Sequence, residues 1–120
     1  MKKILIVEDN AVNCALLQAV LEPEGYDLLV ADNGQTGVEL AIRERPDLIL
    51  MDVILPVING YEATRQIKSH PGTRHIPIIA TTANAVPTER DRALDAGCDG
   101  YISKPIDTRA LPNQVRLFLP

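Results

Sequence analysis

The feature that most restricts the fold of this chain is a short, uninterrupted apolar run near its middle. Four apolar residues, Leu48 to Met51, stand between Asp47 and Asp52. A run of this length without polar alternation is typical of a strand that is buried on both faces, as in a parallel sheet covered by helices. The strand leads directly into Asp52 and then into a loop that ends at the turn-forming pair Asn59–Gly60. Because ligands gather at the carboxyl ends of the strands in such sheets, Asp52 stands where a reactive group is displayed.

Strand-like and helix-like segments alternate along the whole sequence. Strands are predicted over residues 3–7, 27–31, 48–51, 76–82 and 100–103. Helices are predicted over residues 11–22, 61–69, 88–96 and 108–119, and a further helix is predicted between the Asn33–Gly34 turn and Pro46. The helix over 88–96 begins with a capping box at Thr88. The buried face of the first helix is expected to consist of Val12, Leu16, Ala19 and Val20, widened by Leu17 and Leu21. Alternation of this kind predicts an α/β fold: an open, doubly wound parallel sheet of five strands, with helices on both faces.

Composition and charge exclude several classes of protein. The net charge is −4, and the 12 basic residues are spread along the chain, which argues against a nucleic-acid surface. There is no apolar run long enough to cross a membrane and no signal-peptide pattern. Cys14 and Cys98 lack metal-site spacing and fit a reducing compartment better than a disulfide. We therefore expect a cytoplasmic protein with a single domain over residues 1–120.

Polar side chains follow the predicted strands at one edge of the sheet. The first strand is followed by Glu8 and Asp9 and the third by Asp52, while the fourth ends on Thr82 and the fifth is followed by Lys104. Three clustered carboxylates raise one another's pKa unless a cation lies among them, and a set of oxygen ligands alone favours Mg²⁺. A carboxylate nucleophile beside a divalent cation and a lysine is the arrangement that phosphoryl transfer to Asp52 requires.

Each of these residues also has a simpler structural explanation. Glu8 and Asp9 can cap the first helix, since carboxylates are favoured at helix N-termini. Thr82 can be an ordinary strand residue, and Lys104 can be a solvated loop lysine before Pro105. Their shared position at one edge of the sheet is what favours a functional site.

The order of these motifs resembles that of the receiver domain of response regulators in two-component signalling. The matching segments are Ile6–Asn10, Leu50–Asp52, Leu55–Pro56, Asn59–Gly60, Ala80–Ala83 and Gly100–Pro105. The resemblance implies the flavodoxin-like strand order 2-1-3-4-5. It also implies a phosphoacceptor that assists its own phosphorylation and dephosphorylation, rather than an enzyme.

By this resemblance, Asp52 receives a phosphoryl group from the phosphohistidine of a histidine kinase or a phosphotransfer domain. The resemblance further implies that Asp9 and Asp52 bind Mg²⁺, that Glu8 acts through a metal-bound water, and that Ile54 offers its backbone carbonyl to the metal. Ile54 also stands two residues after the acceptor, and Asn84 stands two residues after Thr82, so both flank the path of the water that would hydrolyse the acyl phosphate. The apolar side chain of Ile54 offers that water no hydrogen bond. We therefore expect the phosphorylated state to decay slowly.

The resemblance also implies a conformational switch and a surface for partners. Thr82 and Lys104 would contact oxygens of the phosphoryl group, and Tyr101 would fill the space that Thr82 leaves when it moves inward. The Lys104–Pro105 peptide bond is a candidate for the cis form. The expected surface for a downstream protein consists of the fourth helix, the fifth strand and the fifth helix, in a monomer or weak dimer. Ile106 stands where related domains usually carry an aromatic residue.

Three other functions are compatible with parts of this pattern. A hydrolase with an aspartate nucleophile generally needs a second carboxylate two residues later, where this chain has Ile54. A nucleotide-binding module would need a glycine-rich phosphate loop after a strand, and neither common form of that motif is present. A docking module of the same fold that works without phosphorylation stays open as the third.

Overall fold

Five β-strands and five α-helices alternate along residues 1–83 and 87–120, the parts of the chain that the computed structural model describes. The strands are Lys3–Val7 (β1), Asp27–Ala31 (β2), Leu48–Asp52 (β3), Ile78–Thr82 (β4) and Gly100–Ser103 (β5). The helices are Ala11–Leu21 (α1), Gly34–Glu44 (α2), Gly60–Ser69 (α3), Pro87–Ala96 (α4) and Leu111–Phe118 (α5), with a 3-10 turn at Glu22–Glu24. Among these described residues, no helix combines the length and the apolar character that crossing a membrane requires.

The strands form one parallel sheet in the order β2-β1-β3-β4-β5, which is the order that the family resemblance implies. The central strand, β3, is buried at all five positions, as its unbroken apolar run predicts. In the register of the sheet, Val7 is opposite Met51 and Asp52 is opposite Thr81. The carboxyl ends of β1, β3, β4 and β5 therefore lie at one edge.

Apolar side chains form one core cluster on each face of the sheet. Alternate residues of β1 point to opposite faces: Leu5 and Val7 belong to one cluster, and Ile4 and Ile6 to the other. The first cluster includes buried residues of α2, α3 and α4, and the second includes those of α1 and α5. The predicted doubly wound architecture, with helices on both faces, is confirmed.

The predicted buried face of α1 is confirmed at Leu17 and Leu21. It is wrong at Val12, Leu16 and Ala19, which are exposed. Val12 is 77% exposed and Leu16 is 37% exposed, whereas Cys14, Leu17 and Leu21 are buried. These buried residues follow the spacing i, i+3, i+7 and form a narrow stripe against the sheet and α5. Because apolar residues surround most of this helix, their periodicity does not select one face.

Three helices begin at different residues from those predicted, α3 by a single residue. The first residue of α4 is Pro87, so Thr88 lies inside the helix and the predicted capping box is wrong. Proline suits the first helical position because its missing N–H has no helical partner there. The start of α5 is Leu111 rather than residue 108, because the Asp107 side chain accepts hydrogen bonds from the N–H groups of Arg109 and Ala110 and forms a turn.

The start of α3 is packed tightly against the end of β3. Asn59 caps the helix, its side chain accepting a hydrogen bond from the Glu62 N–H at 3.0 Å. The Gly60 N–H donates to the Val53 carbonyl at 3.0 Å, and a Cβ on Gly60 would lie 2.1 Å from the carbonyl oxygen of Asp52. Only glycine fits this contact, which holds the loop that follows Asp52.

We predict that Gly60→Ala lowers the free energy of unfolding by about 2 kcal/mol or more, because the new methyl group meets backbone atoms that cannot rotate away. Gly25→Ala is the control, since Gly25 has a φ of 87° but no other atom near its Cβ. Strain in the left-handed region alone costs about 1 kcal/mol there. Urea unfolding of the two variants and the wild type measures the difference, and equal losses would contradict the prediction.

Candidate functional site

Three carboxylates come together where β1 and β3 end. Glu8 and Asp9 follow β1, and Asp52 is the last residue of β3. One oxygen from each of the three carboxylates lies within 4.8 Å of the others. Glu8 is 2% exposed and Asp52 is 5% exposed, whereas Asp9 is exposed to solvent. The cluster therefore has a buried floor and one side that is open to water.

Lys104 reaches into this cluster from the residue after β5. Its Nζ lies 3.1 Å from an oxygen of Glu8 and 3.3 Å from an oxygen of Asp52. The backbone N–H of Lys104 donates to the Thr82 carbonyl at 2.7 Å, which continues the ladder between β4 and β5. The Lys104–Pro105 peptide bond is cis. One ammonium group thus bridges two buried carboxylates.

The charges of the site do not balance. Burial, and after it the negative charge of Glu8, raise the pKa of Asp52 to about 6 against the opposing effects of Lys104 and of the Ile54 N–H. That N–H donates to an oxygen of Asp52 at 3.3 Å. Three carboxylates face a single ammonium group, so an additional cation would be stabilised here.

The donor groups fit a hard divalent cation. All three are carboxylates, and the oxygens of an Mg²⁺ shell lie up to ~4.2 Å apart at ligand distances near 2.1 Å. The carboxylate oxygens of Glu8, Asp9 and Asp52 lie within 4.8 Å of one another. A small contraction, or one bridging water, is enough to bring them to the distances of an Mg²⁺ shell. Ile54 contributes an N–H to Asp52, and the role of its carbonyl toward a metal stays a prediction.

Thr82 and Tyr101 lie on the two strands beside the carboxylates. Thr82 ends β4, is 2% exposed and pairs in register with Ser103, the residue before Lys104. Tyr101 lies in β5 opposite Ala80 and is half-buried against the core cluster that includes α3 and α4. Asn84, which the sequence places two residues after Thr82, is outside the described residues.

A cavity of about 280 Å³ adjoins the site between the β3–α3 loop and α4. Its lining includes Ile54 and Thr82, together with three side chains that no sequence motif singles out: Tyr61, Glu89 and Arg92. The Tyr61 hydroxyl donates to a carboxylate oxygen of Glu89. The sequence signal for this cluster is slight, since a tyrosine in the first turn of a helix is more often explained by packing.

The sequence matches the family model described as "Response regulator receiver domain" over residues 4–116. The polar-differentiation response regulator DivK of Brucella anthropi is 41% identical to this chain over 118 residues, covering 98% of this chain and 96% of that protein. DivK of Brucella melitensis is 39% identical with the same coverage.

Solved structures agree with this assignment. The receiver domain of the sensor histidine kinase PA1611 from Pseudomonas aeruginosa, solved with a magnesium ion in its active-site cleft, has a TM-score of 0.91 and 41% identity, covering 98% of this chain and 96% of that one. The co-crystal structure of the Saccharomyces cerevisiae phosphotransfer protein Ypd1 with the receiver domain of Ssk1 matches with a TM-score of 0.91 and 31% identity, covering 98% and 88%. The chain therefore belongs to the response regulator receiver domains of two-component signalling.

Proposed function

We propose that this receiver domain accepts a phosphoryl group on Asp52 from a phosphohistidine, with Mg²⁺ bound by the neighbouring carboxylates. The observation that carries the proposal is the surplus of negative charge around Asp52, which lies within 4.8 Å of two further carboxylates and 3.3 Å from the Lys104 ammonium. A surplus of this kind is costly for a structural site but suits a site that binds a metal ion and then a phosphoryl group.

In the proposed reaction, a carboxylate oxygen of Asp52 attacks the phosphorus. The new O–P bond forms as the bond between phosphorus and the imidazole nitrogen of the donor breaks, and the imidazole keeps the electron pair and takes up a proton. With a pKa of about 6, Asp52 is largely ionised at neutral pH and can act as the nucleophile. Lys104 then pairs with a phosphoryl oxygen, and the bound metal supplies charge neutralisation.

Asp9 and Asp52 are the proposed direct ligands of the metal, with Glu8 acting through a bound water and Ile54 through its carbonyl. The burial of Glu8 behind the exposed Asp9 supports this division. Glu8 already holds Lys104 at 3.1 Å, so its role also includes positioning that ammonium.

Phosphorylation is proposed to change the surface of the domain through Thr82 and Tyr101. Thr82 contacts a phosphoryl oxygen, and the half-buried ring of Tyr101 moves into the space that Thr82 leaves. The two residues occupy adjacent strands of the sheet, which supports this coupling.

Next to Tyr101, a surface cavity of about 540 Å³ between α4, β5 and α5 is lined by Leu94 and Phe118. We assign the downstream protein partner to this face.

The proposed phosphodonor is a histidine kinase or a phosphotransfer domain. Around the edge of the sheet that displays Asp52, α1 exposes Val12 and the β3–α3 loop exposes Ile54 and Val57, which are 77%, 73% and 76% exposed. A protein that delivers a phosphohistidine to Asp52 would cover these apolar side chains. The co-crystal of Ypd1 with a related receiver domain supports a donor of this kind.

The proposal includes the broader properties expected of such a module. Residues 1–120 act as one domain, as a monomer or weak dimer in the cytoplasm. The chain serves as a phosphoacceptor that promotes its own phosphorylation and dephosphorylation, rather than as an enzyme with a separate substrate. The extent of the family match supports the domain assignment.

We expect acetyl phosphate with Mg²⁺ to add one phosphoryl group to the wild-type protein, detected as an increase in intact mass. The gain should require the metal ion, should be reversed by hydroxylamine as an acyl phosphate, and should be absent in Asp52→Asn. Asp95→Asn, which changes an exposed aspartate on α4, is the matched control and should still be labelled. No labelling of the wild type would contradict the proposal and favour the phosphorylation-independent docking module.

We also predict that Asp52 makes the stability of the metal-free protein depend on pH. Its pKa rises from 3.8 to about 6 on folding, so the folded state holds the proton more tightly and the free energy of unfolding falls as pH rises through this range. At pH 7.5, Asp52→Asn should be more stable than the wild type by on the order of 2 kcal/mol, and the gap should shrink toward pH 4.

Urea unfolding at several pH values measures this difference, with Asp95→Asn as the control. Addition of Mg²⁺ at pH 7.5 should stabilise the wild type more than Asp52→Asn, because the ion binds only the folded site. A wild type that is more stable than Asp52→Asn at pH 7.5 without metal would contradict the prediction.

The lifetime of the phosphorylated state provides a further prediction. Replacing Ile54 with asparagine offers the attacking water a hydrogen bond, so Ile54→Asn should raise the rate of autodephosphorylation about 2- to 10-fold. Val57→Asn is the matched control: it adds the same side chain to the same loop, at a φ of 72° that asparagine adopts readily. Loss of the phosphoryl mass over time gives the rates, and an unchanged or lower rate in Ile54→Asn would contradict the prediction.

A further inference from the structure

Helix α4 is attached to the domain by little apolar surface. Its buried residues are Ala93 and Ala96, and its largest apolar side chain, Leu94, is 49% exposed. Helix α3, by comparison, buries Tyr61 and Ile67 in the same core cluster. Since two alanine methyl groups contribute little to hydrophobic stabilisation, the position of α4 depends strongly on its other contacts.

A polar cluster joins α4 to α3. The Tyr61 hydroxyl of α3 donates to Glu89 of α4, and the guanidinium carbon of Arg92 lies 4.6 Å from the centre of the Tyr61 ring. Arg92 also pairs with Glu89, at 3.3 Å. Tyr61 is 5% exposed, and burial together with Glu89 raises its pKa to about 12. The phenol therefore stays protonated and can donate this hydrogen bond throughout the physiological pH range.

The cluster lies beside the acceptor site. Tyr61, Glu89 and Arg92 line the same cavity of about 280 Å³ as Thr82 and Ile54. In the sequence, four residues separate Thr82 from Pro87, where α4 begins. The strand end that carries Thr82 is therefore only a short length of chain from α4.

We propose that Tyr61, Glu89 and Arg92 form a latch that holds α4 in its resting position and thereby opposes phosphorylation of Asp52. This inference rests on the proposed function of the site and adds a means of regulating it. The contacts that Tyr61 makes with Glu89 and Arg92 join two helices, so they are lost when α4 moves away from α3. Their loss shifts the equilibrium toward the arrangement in which α4 and Thr82 can adjust to the phosphoryl group.

Hydrogen exchange of the unphosphorylated protein tests whether the latch holds α4. Tyr61→Phe keeps the ring and its contact with Arg92 but removes the donor. Exchange of amides in α4 should become about 3- to 10-fold faster, the effect expected for one hydrogen bond to a carboxylate that is partly exposed. Exchange in α1 and α5 should not change.

The matched control is Glu62→Gln, which breaks an ion pair of 3.5 Å with Arg65 inside α3. It changes a carboxylate on the same helix as Tyr61 without touching the link to α4, so α4 exchange should stay at the wild-type rate. Arg92→Ala removes the contact with the Tyr61 ring, together with the ion pair to Glu89 inside α4, and should also accelerate α4 exchange.

Phosphorylation kinetics test whether the latch regulates the acceptor. With acetyl phosphate and Mg²⁺, the initial labelling rate of Tyr61→Phe should exceed that of the wild type by about the same factor as α4 exchange does. Glu62→Gln should be labelled at the wild-type rate. A merely structural role of Tyr61 would lower or leave unchanged the labelling rate, and either result would overturn the proposal.

The two readouts separate the latch from the function on which it rests. A wild type that is not labelled at all overturns the proposed phosphoacceptor function, and with it the regulatory role of the latch, while α4 exchange still reports the contact itself. The opposite result is a wild type that is labelled while α4 exchanges at the same rate in the wild type, Tyr61→Phe and Arg92→Ala. This result overturns the latch and leaves the phosphoacceptor function standing.

Discussion

Two buried carboxylates that share one lysine are the interaction on which the rest of this site depends. Glu8 and Asp52 both lie close to Lys104, and the exposed Asp9 adds a further negative charge. Burial of like charges is tolerated only where a cation or hydrogen bonds compensate for the lost water. The pKa of Asp52, raised to about 6, is the direct sign that this compensation is incomplete. In the proposed function, the same imbalance that costs stability gives the site its affinity for a metal ion and a phosphoryl group.

The sheet brings the residues of the proposed switch together at one edge. Its parallel strands carry Asp52, Thr82 and Lys104 to one edge, where the backbone N–H of Lys104 is bonded to the Thr82 carbonyl. Strands β1, β3 and β4 are buried at nearly every position and closely packed, so the middle of the sheet is a firm frame. Among the described residues, helix α4 buries two alanines and makes a polar contact with Tyr61, and we propose that it is the element that moves.

The fold, and the edge of the sheet that displays Asp52, were predictable because both depend on short sequence patterns. The apolar run before Asp52 specifies a central strand, and the alternation of strands and helices implies that the strands are parallel. The buried face of α1 was mispredicted in part, since Val12 and Leu16 are as apolar as the residues that pack inward. The contact between Tyr61 and α4 was not predictable either, because its partner Glu89 is 28 residues away in the sequence and belongs to another helix.

By itself, the sequence determined the fold class, the family and the set of polar residues at the ends of the strands, because these follow from local composition and from the order of motifs. Only the tertiary structure decided which face of α1 is exposed, how Lys104 is shared between Glu8 and Asp52, and which residues attach α4 to α3. The physical reason is that burial, charge compensation and contacts between helices depend on distances between residues that are remote in the chain, and periodicity carries no information about those distances.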